Sequence, residues 1–204
     1  MTLRAYLIPI NEVTNPRGQS LRVPKYFPIG GGAQSPIAGL EGLDIAGEDD
    51  FGLQPTMLVV ADVTPAQHGV LAGQPDVVSV PADISQNISA AALPTVQNEL
   101  EALNIPGNWV TTSNTYQQVL HFVMACFQFA GRFVALTGLD IYAGNVTLNT
   151  QFNQLPAAAR NGLQATATDM GLSTAGITGT STVRDILQSV ANQLPPYSLG
   201  GLSI

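Results

Sequence analysis

The sequence predicts an α+β fold: a small N-terminal sheet with a βαβ unit, then a helical C-terminal half packed around one buried central helix. Three observations predict it. The strand-like runs RAYLIPI, MLVVAD and DVVSV all fall within the first 80 residues, and MLVVAD and DVVSV are separated only by a short helical segment. From Ser89 onward the apolar residues recur instead at three- and four-residue steps. Between Asn114 and Gly138 lies a segment, NTYQQVLHFVMACFQFAGRFVALTG, with large apolar side chains on almost every side of a helix. A helix apolar nearly all round is buried nearly all round.

Taken in order, residues 4–10 read as a strand whose Pro9 argues for an edge position or a strand end, because proline cannot donate to a ladder. Residues 11–54 hold many of the glycines and prolines, including Gly30-Gly31-Gly32, and keep no period for long. They read as an extended loop or arm within a single domain spanning residues 1–204. Within this arm Arg17, Arg22, Lys25, Tyr26 and Phe27 are the expected partner-binding residues, the aromatics needing a surface to cover and the cations setting register. Residues 57–62 read as an interior strand, and Thr64-Pro65-Ala66-Gln67 as a helix start with a capping threonine, Pro at the first helical position and Gln at the third. Residues 76–80 follow as a further strand.

Ser89 to Leu103 reads as a helix, with Pro94 in its first turn or kinking it, and Trp109 is expected to anchor the packing just ahead of the central helix. The central helix is expected to start at Asn114, with Gln117 completing a capping box, and to end at Gly138, with Phe122, Phe129, Phe133 and Leu136 buried behind the face led by Phe127. Two more helices are expected, one from about Leu155 to Met170 and one opened by Thr182 and Asp185. Residues 197–204, apolar and uncharged, read as an extended C-terminal tail laid on another surface.

Composition bounds the function. Only 10% of the 204 residues are charged, against roughly 25% in an ordinary soluble domain, while 45% are hydrophobic. A surface so poor in charge and rich in Gln, Asn, Thr and Ser suits a protein largely covered by partners. The formal net charge is −7, which argues against a general nucleic-acid surface or an anionic membrane surface. It is unevenly spread: residues 1–25 carry a net +3, whereas residues 26–131 carry ten acids and neither Lys nor Arg. His121, Gln128 and Arg132 interrupt the central helix, so no unbroken apolar run approaches the roughly 18 residues of a spanning segment. No secretory leader is expected from the opening residues.

Chemistry-bearing motifs are scarce. The triple glycine has neither the G-x-G-x-x-G nor the Walker spacing, and Glu48-Asp49-Asp50 lacks alternating calcium ligands and reads as a solvated acidic turn. His68 reads as a lone surface histidine, His121 as a hydrogen-bonded core residue, and the single cysteine, Cys126, as inert. No cofactor or metal and no catalytic residue is expected, so the chain reads as a non-enzyme.

The spellings Arg-Ala-Tyr-Leu-Ile-Pro-Ile at 4–10, Pro24-Lys25-Tyr26-Phe27, Ala61-Asp62-Val63-Thr64 with Gln67-His68, Asn104-Ile105-Pro106 before Trp109-Val110-Thr111, Phe127-Gln128-Phe129 and a closing Gly-Gly-Leu make a combination. It resembles a group of uncharacterised small virion-associated proteins of tailed bacteriophages. The resemblance implies a structural component of the virion, in capsid, neck or tail, made in the host cytoplasm and bound to copies of itself and to other virion proteins. It carries no catalytic residues to transfer. Two other classes stay open at this point: an assembly or accessory factor not retained in the particle, and a hydrolase with a dispersed site.

Overall fold

The computed structural model describes residues 2–14, 17–27, 38–40, 43, 45–49, 56–80, 84–196, 198–199 and 202–203. The fold is α+β, and the chain divides into two compact units. The first comprises Met1–Asp50, Gln54–Gln86 and Ser198–Ser203, and the second Phe51–Leu53, Asn87–Tyr197 and Ile204. Strands gathered at one end of a sequence and helices at the other give each group its own core.

The first unit is a sheet built on β1 (Thr2–Thr14). Residues 2–9 of β1 pair antiparallel with β4 (Thr56–Val63), placing Arg4 opposite Ala61 and Tyr6 opposite Val59. Residues 10–14 pair instead with β2 (Ser20–Pro24), and β3 (Ile45–Asp49) closes on the far side of β4 with a register shift between Ile45 and Gly47. Pro9 marks the change of partner: it is the last residue of β1 opposite β4, and its carbonyl accepts from the Lys25 amide at 2.9 Å. The proline therefore ends a ladder and not the strand, which is an interior one, and this corrects the edge reading of residues 4–10.

The helix α1 (Pro65–Ala72) follows β4 directly, with the expected Thr64–Gln67 capping box. It leads to β5 (Val78–Ser79), shorter than expected, which pairs with β1 on the side opposite β4. Both β4 and β5 run antiparallel to β1, so they are parallel to each other and the βαβ unit is split by β1. One face of β1 and β4, carrying Tyr6, Ile8, Met57, Val59 and Ala61, forms a core with Leu71 of α1. On the other face Ala5, Leu7, Leu58 and Val60 are buried too, which explains the unbroken apolar run in β4.

That core also contains Tyr26, Phe27, Leu40 and Leu43. Residues 11–14, 20–24 and 45–49 are strands, so for its described part the extended arm at 11–54 does not exist. The physical reason lies in the aromatics: Phe27 is 1% exposed because its own unit supplies the surface it needs to cover. Glu48 and Asp49 lie in β3 and not in a turn, while the triple glycine and Asp50 fall outside the described residues. In the segment read as a tail, β6 (Ser198–Leu199) pairs with β7 (Leu202–Ser203).

The second unit is helical. After α2 (Leu93–Ala102), with Pro94 in its first turn, comes α3 (Tyr116–Thr137), the central helix. Its cap falls one residue later than expected, on Thr115 with Gln118 completing the box, because the Asn114 side chain is engaged by the Thr111 amide at 2.8 Å. Gly138 ends it at φ 68, the left-handed conformation glycine adopts without penalty. Eleven of its residues, from Val119 to Phe133, are buried, but Leu136 is 44% exposed, so the back face is covered only as far as Phe133. By length and composition α3 could cross a bilayer; in this fold it packs against α4 (Ala157–Asp169) and α5 (Val183–Gln193). Gly162 of α4 permits close approach: a Cβ there would lie 2.8 Å from Phe133 Cε2 and 2.5 Å from Thr137 Cγ2.

A polar staple ties α2 to α5. Arg184 donates from both terminal nitrogens to the two carboxylate oxygens of Glu101, and Glu101 also accepts from the Gly107 amide at 2.8 Å. Arg184 holds the Glu101 carboxyl below its usual range. A double-mutant cycle of Arg184→Met and Glu101→Gln is expected to return about 1 kcal/mol of coupling, the pair being bidentate but partly solvated. The carboxylate pKa is depressed on folding, so this contribution is complete above the unfolded value of about 4.3 and disappears as pH falls through the folded one. Urea titrations at neutral pH and in acid test both statements, since Arg184→Met has no such contribution to lose.

Candidate functional site

The residues expected to bind a partner are placed as follows. Arg17 lies in the turn joining β1 to β2, and Arg22 lies opposite Glu12 across the β1–β2 pair, 3.8 Å from its carboxylate. Lys25 Nζ is 2.8 Å from Asp76 Oδ2, Tyr26 Oη donates to Asp76 Oδ1 at 2.7 Å, and the Lys25 ammonium lies 4.9 Å from the Tyr26 ring centroid. Lys25 and then Tyr26 hold the Asp76 carboxyl below the usual range. Tyr26 and Phe27 are buried in the core of their own unit, while the Lys25 side chain stays exposed beside Asp76.

A different cluster in the same unit brings chemistry together. Arg4 and Tyr6 alternate onto the β1 face that α1 covers, and His68 lies three residues before Leu71, hence on the same side of α1. Leu71 is in the core and His68 sits half-buried at its rim. Arg4 Nη1 lies 3.3 Å from His68 Nε2, and Tyr6 Oη 3.0 Å from His68 Nδ1. A guanidinium can only donate, so Nε2 is the acceptor and the neutral ring carries its proton on Nδ1, donating it to Tyr6. Burial, with Arg4 adding to it, lowers the His68 pKa, and burial pushes the Tyr6 hydroxyl up to about 12.

His68 is thus not a lone surface histidine. Its partners stand 62 and 64 residues away in sequence. The one signal available beforehand was the alternation of Arg4 and Tyr6 on a strand followed by a capped helix.

The second unit contains a recess of about 530 Å³ beside the start of α3. Trp109 and Phe122 form its apolar side, their rings 4.3 Å apart and tilted by 52°, while Asn114, Gln117 and Asn192 supply amides. His121 borders it and donates from Nε2 to the Ala191 carbonyl at 3.3 Å. Among the described residues no charged side chain lines the recess, so they offer hydrogen bonding without ionic attraction. Trp109 Nε1 is buried without an acceptor. Elsewhere in this unit Cys126 is buried in α3, and its thiol pKa is driven upward, away from the reactive thiolate. Among the described residues no three or more His, Cys, Asp or Glu side chains gather where they could hold a metal ion.

Neither a family model, nor a curated protein, nor a solved structure matches the chain.

Proposed function

We propose that the chain is a non-enzymatic structural component of a tailed-phage virion, in capsid, neck or tail, assembling with copies of itself and with other virion proteins. The observation that carries this reading is the treatment of charge in the helical unit. Asn87 to Tyr197 contains only eight charged residues, five acids and three arginines. Four of these neutralise one another, Glu101 with Arg184 and Arg132 with Asp169. Of the rest, Asp185 is engaged in the α5 cap and Arg160 donates to the carbonyls of Asn153 and Leu155. The outside of this unit is therefore largely hydroxyl, amide and small apolar groups, with Leu136 and Leu139 exposed at 44% and 38%.

A free protein at high concentration relies on charge to stay dispersed, whereas a surface covered by neighbours loses that need and would otherwise have to desolvate its charges. The resemblance to virion-associated phage proteins agrees with this reading. Mass spectrometry of purified particles of the encoding phage is the direct test, with the chain expected in fixed proportion to other virion proteins. Its presence in infected cells but absence from particles would favour a factor used during assembly. Sedimentation of the isolated protein at micromolar concentration is expected to give a species heavier than 21.3 kDa, and a stable monomer at high concentration would count against a covered surface.

A further inference from the structure

We propose that Arg4 and His68 form a receptor for a carboxylate, one oxygen held by the guanidinium and the other by the imidazole. Arg4 sets the inference apart from ordinary surface charge. Arg22, Lys25, Arg132 and Arg184 each lie beside a carboxylate, and Arg160 donates to two backbone carbonyls. Arg4 has no carboxylate within ion-pair distance among the described residues, although the chain has fourteen acids to seven bases. What its guanidinium touches is a neutral imidazole nitrogen, at 3.3 Å, longer than the 2.7–2.9 Å of a charge-assisted bond. Both residues are half-buried, so the fork is positioned by the sheet and yet reachable.

The imidazole completes the site. With Nδ1 fixed by Tyr6, Nε2 is the nitrogen turned toward Arg4. An arriving carboxylate replaces the imidazole as acceptor for the guanidinium. Its negative charge then favours protonation of Nε2, which changes from acceptor to donor and binds the second oxygen. Binding therefore takes up a proton at His68. The charged or titratable groups that face His68 are Arg4 and Tyr6 from β1. Among the described residues its own helix has no other, Val78 and Ser79 of β5 do not titrate, Asp62 projects from the other face of β4, and Asp76 is engaged by Lys25 and Tyr26.

Burial and then Arg4 lower the free-state pKa of His68 and a bound carboxylate raises it, so affinity climbs as pH falls through the interval between those two values, by at most about tenfold per pH unit. A carboxylate fits better than a phosphate: one planar fork and one ring nitrogen match two coplanar oxygens, whereas a phosphate dianion calls for additional donors.

The chain has two histidines, so the imidazole resonances of full-length protein can be assigned by comparison with His121→Gln. Titration with acetate in a chloride background is expected to shift the His68 signals saturably and to raise its pKa, while His121 stays in place. The pH dependence of the acetate affinity should follow that rise. Arg4→Gln should abolish the response, and Lys25→Gln should leave it intact. A His68 pKa in the wild type that is the same in acetate and in chloride would overturn the proposal whatever the variants do. Inorganic phosphate binding more tightly than acetate would overturn the carboxylate assignment.

Discussion

Truncating Phe127 to alanine is expected to destabilise the protein by about 3–5 kcal/mol, the usual cost of deleting a large aromatic from a packed core. The side chain is 1% exposed near the middle of α3, with Val123, Met124 and Ala130 buried one helical turn to either side. Its removal leaves a void that a close-packed interior fills only in part. Domains rarely have more than 5–15 kcal/mol in hand, so a large share of the stability would go with one ring. Urea denaturation followed by the fluorescence of Trp109, the only tryptophan and a neighbour of Phe122, reports on this unit directly. Leu136→Ala on the exposed last turn should shift the midpoint little, and a comparable loss there would mean that the helix is covered along its whole length.

The helical unit was legible in the sequence because its signals are local. Capping pairs, a left-handed glycine and a 3.6-residue apolar period all act within a turn or two, and the expected starts at Thr182 and around residue 156 hold. The error at the start of α3 is also local: Asn114 and Thr115 are both good caps, and the competition was decided by the Thr111 turn, which takes the asparagine.

The sheet was legible only in part. β4 is apolar enough to announce itself, but β2 and β3 have no such run, and each is a strand because a neighbour offers a ladder. The Arg4–Tyr6–His68 cluster depends on the same long-range register and could not be read from spacing. The charge asymmetry points the first cations to an acidic surface, either this chain's own middle or a neighbouring copy's. The cations at the start of the chain do meet acids, but Lys25 meets Asp76 and Arg22 lies opposite Glu12 within their own unit.

Replacing residues 11–30 by a short flexible linker is expected to unfold the first unit. The deletion removes the end of β1 and all of β2, and with them the pairing from Ile10 to Thr14. It takes Tyr26 and Phe27 out of the core that also holds Tyr6, Met57 and Leu71, and leaves Asp76 without Lys25 or the Tyr26 hydroxyl. The loss of Phe27 alone is of the order of 3–5 kcal/mol, and the exposed edge of β1 would gain unpaired backbone groups. Hydrogen exchange across β1 and β4 is the measurement: protection of those amides should fall to that of an unfolded segment, and the His68 imidazole resonances should move to an unstructured position. Electrostatics cannot rescue it, because exposed pairs such as Lys25–Asp76 are screened by solvent and add little. If the shortened chain instead keeps full exchange protection in β4 and melts with its parent, the hairpin and its aromatics add nothing to the core. Residues 11–30 would then be an appendage after all, available to a partner, and Tyr26 and Phe27 would regain the role that the sequence alone suggested for them.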